Sequence, residues 1–261
     1  MKNQVVTYRE SDGGIVKFEI MNVPFGTVAL AKDYAKSNYP DRYVVFSDKR
    51  MINDEGDIEE GLYMSLILRP SLFPSQAALL GAMSATAMAT ALEEHTSKRI
   101  GIGWVADIFC EGVKIGGVNI EGKLDNFTTY EYIIVTFSAK LGEKNFPPRL
   151  NDMIRQVFEK DNASIPMIIA KTILNKFFKL YVNLKTSSKF MEEYNSKFVQ
   201  RGVNAKYYDG TRKRNCRVCG IDKSTGALLI ELTKKEGPLA ITSPTSIQLP
   251  KRVALKKEKI G

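Results

Sequence analysis

The segment from Gly101 to Gly122, GIGWVADIFCEGVKIGGVNIEG, constrains the fold more than any other part of the chain. It carries strand-like runs at Ile100–Trp104, Asp107–Cys110 and Val113–Glu121, with a tight turn at Glu111-Gly112. Further strands are predicted at Ile15–Ile20, where apolar and polar residues alternate, and at Tyr43–Ser47, Leu62–Leu68 and Tyr130–Ser138. Apolar spacing predicts helices at Thr27–Ser37, at Gln76–Glu94 with a start signal at Pro74-Ser75, and at Pro148–Glu159, Ile165–Asn183 and Ser187–Gln200. These elements lack the regular βαβ rhythm of a doubly wound sheet. The expected class is α+β, a mixed, largely antiparallel sheet with helices packed on it. Asp48–Glu60 is too hydrophilic for a core and is expected to form a loop.

After Arg201-Gly202 the pattern changes to short strands at Ala205–Tyr208, Asn215–Ile221, Ala227–Thr233 and Ser246–Leu249. Turn signals separate them at Asp209-Gly210, Ser224-Thr225-Gly226 and Glu236-Gly237-Pro238, the pattern of a small β-barrel. Two domains are therefore expected, 1–202 and 203–261.

Hydrophobic residues make up 44% of the 261, enough for a substantial core. No apolar run reaches the roughly eighteen residues of a membrane span, and the first residues lack the apolar centre of a secretory signal. Three cysteines fit a reducing cytoplasm better than a disulfide framework. The net charge of +9 raises the question of nucleic acid. Its clusters, Lys206–Arg217 and the tail with Lys251, Arg252, Lys256, Lys257 and Lys259, stand beside no helix-turn-helix, zinc-finger or aromatic RNA-binding motif. A solvated basic surface is the expectation, with nucleic-acid binding as the alternative that salt-sensitive binding of DNA would raise.

Cys216-Arg217-Val218-Cys219 has the spacing of a zinc half-site, but His95 and Cys110 are far away in sequence and no metal site is expected. A redox pair wants a helix N-terminus, whereas these cysteines precede Gly220 on a strand. His95 follows Glu93-Glu94 at a helix end, where a cation complements the dipole. With one histidine no Ser/His/Asp triad can be assembled, and no Walker loop occurs.

Gly103-Trp104-Val105-Ala106-Asp107 followed by Lys114-Ile115-Gly116-Gly117 resembles the core of biotin–protein ligases, where a K-W-P-N-D strand end precedes a basic residue and a small pair. Gly61-Leu62-Tyr63-Met64-Ser65-Leu66 with Arg69-Pro70 is similar to that family's N-L-Y-L-S strand, and Gly220–Leu229 to its G-I-D-x-x-G-A-L-L segment. The order of elements is similar to biotin–protein ligases and their lipoate-ligase relatives over nearly the whole chain. The resemblance implies a class II synthetase-like domain followed by an SH3-like barrel, with no room for an N-terminal DNA-binding domain. It also implies a reaction in which biotin and Mg-ATP form biotinyl-AMP, then attacked by a carrier-protein lysine. The residues themselves specify no cofactor.

The family's tools are altered here. The lysine position holds Gly103. The G-R-G-R-x-G-R loop falls at Asp48–Glu60, with Asp48, Asp54, Glu55, Asp57, Glu59 and Glu60 against Lys49 and Arg50. The S-T-N position falls at Pro24-Phe25-Gly26-Thr27, and the G-I-G-I-N position near Val135–Ala139. Like charges 4 Å apart repel by about 4 kcal/mol at an effective dielectric of 20. An acidic loop over phosphates is thus expected to turn preference toward neutral or cationic ligands.

Two functions are carried forward. One is a divergent ligase-like protein with lost or altered adenylation that binds a small ligand or a protein. The other is a working ligase using Lys49, Arg50 and Lys114, with a biotin or lipoyl carrier domain as partner. Candidate ligand-binding residues are Thr27, Arg50, Trp104, Asp107, Lys114, Gly116 and Gly117, and Lys114 is the candidate catalytic group. Lys114 is either a replacement for the missing lysine or a surface residue. Trp104 is a core or pocket-floor residue or a cofactor wall, Asp107 a turn cap or a ligand contact, and Gly116-Gly117 serve ligand approach or tight strand packing. A ligand is expected between Gly103-Trp104, Lys114–Gly117 and Asp48–Glu60, unless Phe25, Met51 and Phe137 fill the space.

Overall fold

The computed structural model describes residues 3–10, 13–21, 26–52, 56–77, 79–126, 128–141, 165–184, 188–232 and 237–253. The expected helix at Pro148–Glu159, Phe25, the loop residues Asn53, Asp54 and Glu55, and the last tail lysines lie outside them. Eight strands form the main sheet: β1 Gln4–Arg9, β2 Ile15–Ile20, β3 Tyr43–Met51, β4 Ile58–Leu68, β5 Ile100–Gly103, β6 Asp107–Cys110, β7 Val113–Leu124 and β8 Tyr130–Lys140. Their order is β1-β2-β3-β4-β8-β7-β6-β5. Among these eight strands only the β2–β3 pairing is parallel, and helix α1, Thr27–Lys36, makes that crossover.

Strand β4 is buried from Gly61 to Leu68, so both faces of the sheet are covered there. Leu62, Met64 and Leu66 join Phe46 of β3 and Val135 and Phe137 of β8 in the large core beneath α3, Leu80–Glu93, and α4, Ile165–Tyr181. Phe137 is fully buried and edge-on to Phe177 of α4, with ring centroids 6.0 Å apart. Buried in this core, it does not fill the opposite face. Helix α3 is buried nearly all round, which accounts for its Ala, Met and Leu content. Its buried Ser84 and Thr86 donate to the carbonyls of Leu80 and Ala82, one turn back. On the other face Tyr43, Val45, Ile67, Tyr132 and Ile134 pack against Ala31 and Ala35 of α1.

Several expectations need correction. The helix expected from Gln76 to Glu94 is a turn, α2 Pro74–Ala77, followed by α3. Strand β1 was not expected, because it is an edge strand with little apolar alternation. Asp48–Glu60 is largely a hairpin extending β3 and β4, with a register shift between Ser47 and Lys49. Lys49 stands opposite Glu60, Arg50 opposite Glu59 and Met51 opposite Ile58. Opposite charges in register stabilise such a pair, so its polarity is compatible with strand structure.

Helix α5, Ser188–Lys197, leads to a second sheet. It comprises β9 Asn204–Tyr208, β10 Lys213–Ile221, β11 Leu228–Glu231, β12 Leu239–Ile241 and β13 Ile247–Gln248, antiparallel in the order β12-β11-β10-β9-β13. The sheet of the expected barrel is therefore present, although β12 and β13 are not paired with each other among the described residues. At the β10–β11 turn, Asp222 accepts hydrogen bonds from Ser224 and Thr225, which hold its pKa down to about 2. Cys216, Val218, Leu228 and Ile230 continue the main core into this sheet.

Truncating Phe177 tests the packing of the helix-covered face. Phe177→Ala is expected to lower the unfolding free energy by ~3–5 kcal/mol in urea titrations. A loss below ~1 kcal/mol would contradict a close-packed core at this position.

Candidate functional site

The face of the sheet that carries α1 is only half covered by it. At the first turn of α1 the apolar row Tyr43–Ile67–Ile134 gives way to two polar rows set by strand register. Ser65 of β4 lies opposite Thr136 of β8, which lies opposite Asn119 of β7. In the next row Ser47, Tyr63, Ser138, Gly117 and Asp107 stand side by side across five strands. Small polar residues at these positions leave a cleft of about 600 Å³ over the sheet, within the range of small-ligand sites.

Buried hydroxyls line up beneath it. Ser65 Oγ is 2.9 Å from Thr27 Oγ1 and 3.0 Å from Thr136 Oγ1, so three elements share one hydrogen-bonded chain. Thr27 and Ser65 are buried, and this pairing satisfies groups whose burial would otherwise be costly.

One rim is cationic and pre-organised by a single carboxylate. Arg50 donates through Nε and Nη2 to Glu59 Oε2 at 3.0 and 2.7 Å. The Tyr63 hydroxyl donates to the same oxygen at 2.9 Å, and Lys140 Nζ lies 2.6 Å from Oε1. Burial raises the Glu59 carboxyl, but the hydrogen bonds from Lys140, Tyr63 and Arg50 outweigh it and hold its pKa below the usual carboxylate value. Burial, reinforced by the bond to Glu59, pushes the Tyr63 phenol well above its ordinary value.

The opposite rim is built by Lys114 and the chain after β13. Lys114 Nζ sits 2.6 Å from Asp107 Oδ1. The Lys114 amide donates to Lys251 O at 3.4 Å and the Val253 amide to Gly112 O at 2.9 Å, a strap that brings Lys251 and Arg252 to the cleft. The described lining thus carries Arg50, Lys114, Lys140, Lys251 and Arg252 against Asp107. The described lining is therefore basic, opposite in sign to the acidic one expected from Asp48–Glu60. Glu59 and Asp107 face bases, and the lining as a whole is positive.

Five of the seven candidates, Arg50, Asp107, Lys114, Gly116 and Gly117, share this cleft. Thr27 reaches it only through the hydroxyl chain. Trp104 does not line it: the buried indole donates to Gly226 O at 2.9 Å, tying the main sheet to the β10–β11 turn. Asp107 is paired with Lys114 and does not cap the Glu111-Gly112 turn; Glu111 itself accepts from the Arg99 amide. Met51 is exposed at the hairpin and leaves the cleft open. The glycine pair is required by strand packing, since a Cβ on Gly116 would lie 1.9 Å from Ser138 O and one on Gly117 2.8 Å from Ala106 O.

Gly103 is closed from another side. A Cβ there would lie 2.6 Å from the Phe109 ring and 3.2 Å from the Gln200 amide, which accepts from the Trp104 backbone. A lysine does not fit at this position without displacing both. His95 is also reinterpreted: its Nε2 pairs with Thr172 Oγ1 at 3.1 Å, and burial lowers its pKa toward the neutral form.

Tyr63, Thr136, Ser138, Lys140, Lys251 and Arg252 were missed as cleft residues. Thr136 and Ser138 left a signal, since they interrupt the apolar run YEYIIVTFSA at alternate positions.

The depressed Glu59 pKa has a defined pH signature. Its contribution to stability is present above the unfolded carboxylate value of about 4.3 and is lost as pH falls through the lower folded value. The melting-temperature gap between wild type and Glu59→Gln should be widest near pH 7 and close as the pH is lowered below about 4. An equal gap at both ends would show that Glu59 is not held ionised by this network.

No protein-family model matches the chain. The bifunctional ligase/repressor BirA of Bacillus subtilis is 25% identical over 221 residues, covering 78% of this chain and 66% of that protein, just under two thirds of its length. The biotin protein ligase of Aquifex aeolicus, solved as a mutant with biotin, superposes with a TM-score of 0.66 at 21% identity, over 89% of this chain and 97% of the other. A biotin protein ligase-like protein of unknown function from a Silicibacter species gives 0.58 at 14% identity, over 87% and 94% of the two chains. The chain therefore has the fold of these biotin protein ligases and of the biotin protein ligase-like protein.

Proposed function

We propose that this chain is a divergent ligase-like protein whose cleft binds an anionic carboxylic acid or its adenylate, with adenylation chemistry altered from that of biotin–protein ligases. The observation that carries this is the pairing of a closed Gly103 with a cleft whose described lining holds five bases and one acid. Fixed cations in a partly desolvated cleft favour anions, because their orientation is set before the ligand arrives. The Glu59 network fixes Arg50 and Lys140 in this way.

A second reading, a working ligase, is favoured by one contact. Lys114 Nζ is held by Asp107 at the cleft edge, where an ammonium can face a carboxylate or an α-phosphate. In that reading biotin or lipoate and Mg-ATP are the substrates, and a lysine of a biotin or lipoyl carrier domain, or of another protein, is the acceptor.

Thermal shift with biotin, lipoate, octanoate, AMP and ATP tests binding, and pyrophosphate release tests turnover. A ligand at a hundred times its Kd stabilises the fold by about 2.7 kcal/mol, well within detection. The binding reading expects a shift with at least one of these anions, reduced by Lys114→Ala or Arg50→Ala, without pyrophosphate release. Pyrophosphate release abolished by Lys114→Ala would establish the second reading. No shift with any of them would overturn both.

A further inference from the structure

The second sheet presents a polar face that the cleft chemistry does not use. On strand β10 Lys213, Asn215 and Arg217 are exposed, while Cys216 and Val218 between and beyond them are buried. Register places Asn215 opposite Lys206 and Lys206 opposite Gln248. In the next row Arg217 stands opposite Asn204 on one side and Glu231 on the other. These two rows line a trough of about 760 Å³. At the edge of the same face, Lys213 stands opposite Tyr208. Tyr208 is 45% exposed, and its hydroxyl donates to Gly210 O at 2.9 Å.

We propose that this face of the second sheet binds a single-stranded polynucleotide. Charge supplies the first argument: Lys206, Lys213 and Arg217 against Glu231 leave two positive charges on the face, in a protein of net charge +9. The arrangement supplies the second. Cations alternate with the carboxamides of Asn204, Asn215 and Gln248, which donate and accept hydrogen bonds as base edges require. Same-face residues on β10 recur at steps of about 7 Å, so a strand laid along it meets a cation, an amide and a cation in turn. A fixed, exposed tyrosine ring beside them gives a base a surface for stacking. An acidic protein segment would use the cations and could pair its backbone with the carboxamides, but its carboxylates bring no flat base to stack on the ring. The sequence spreads these residues over Asn204–Gln248, and for that reason no linear nucleic-acid motif was visible.

The test is fluorescence anisotropy of the full chain with labelled twelve-nucleotide RNA and DNA of mixed sequence, with a labelled polyglutamate peptide as comparison. Binding is expected in the micromolar range, and the RNA and DNA arms decide which sugar is preferred. Three phosphate contacts predict a loss of roughly tenfold to twentyfold between 50 and 200 mM salt. Lys206→Glu with Arg217→Glu should weaken binding at least tenfold, and Tyr208→Ala roughly fivefold or more. The same charge change on α4, Lys171→Glu with Lys179→Glu, should alter it less than twofold. Absence of oligonucleotide binding, equal losses from the α4 variant, or tighter binding of polyglutamate would each overturn the proposal.

Discussion

The architecture depends on strand β4 being buried on both faces. Because side chains alternate along a strand, the same eight residues decide two environments at once. Leu62, Met64 and Leu66 bind the sheet to α3 and α4 in the main core. Ile67 packs with the smaller cluster under α1, while Ser65 and Tyr63, on the same side, open into the polar half. A slip of one residue in the β3–β4–β8 pairing would send Ser65 and Tyr63 into the aliphatic core and Leu66 and Met64 into the cleft. The burial that holds the fold together therefore also fixes where the cleft is and which polar groups line it.

Much of this was legible from alternation. Ile15–Ile20, Tyr43–Ser47, Leu62–Leu68 and Tyr130–Ser138 are strands because their apolar residues must be buried on a pleated surface, and that requirement is local. The helix break before Leu80 and strand β1 were not legible. Edge strands carry a weak burial pattern, and an Ala-rich run is helical in propensity whether or not the chain interrupts it. The hydroxyl chain from Thr27 through Ser65 to Thr136 joins residues 38 and 71 positions apart. No window of sequence contains it.

The charge of the cleft shows how composition misleads when register is unknown. Along the chain, Asp48–Glu60 is an acidic run. Folded into a hairpin, Glu59 faces Arg50 and also receives Lys140 from β8, so one acid organises two bases at the rim. The strap after β13 adds Lys251 and Arg252 from the far end of the described chain. The sign of the field in the cleft is thus set by strand order and by a distant segment. Within the described part of that run, Glu59 contributes through the bases it holds.

The position of Lys114 follows from one irregularity in β7. Asp107 pairs with Gly117 and Ile108 with Gly116, but Phe109 pairs with Lys114, so Ile115 is an extra residue on this strand. In a regular strand Lys114 and Gly117 would point to opposite faces. A bulge breaks that parity and re-aims the residues beyond it. Ile115 is buried, and Lys114 turns toward the cleft, where its ammonium reaches Asp107. At Gly103, in the same cross-strand row as Asp107, the space for a side chain is already taken by Phe109 and Gln200. A single inserted residue therefore supplies a cation to this edge of the sheet by a route that leaves position 103 closed.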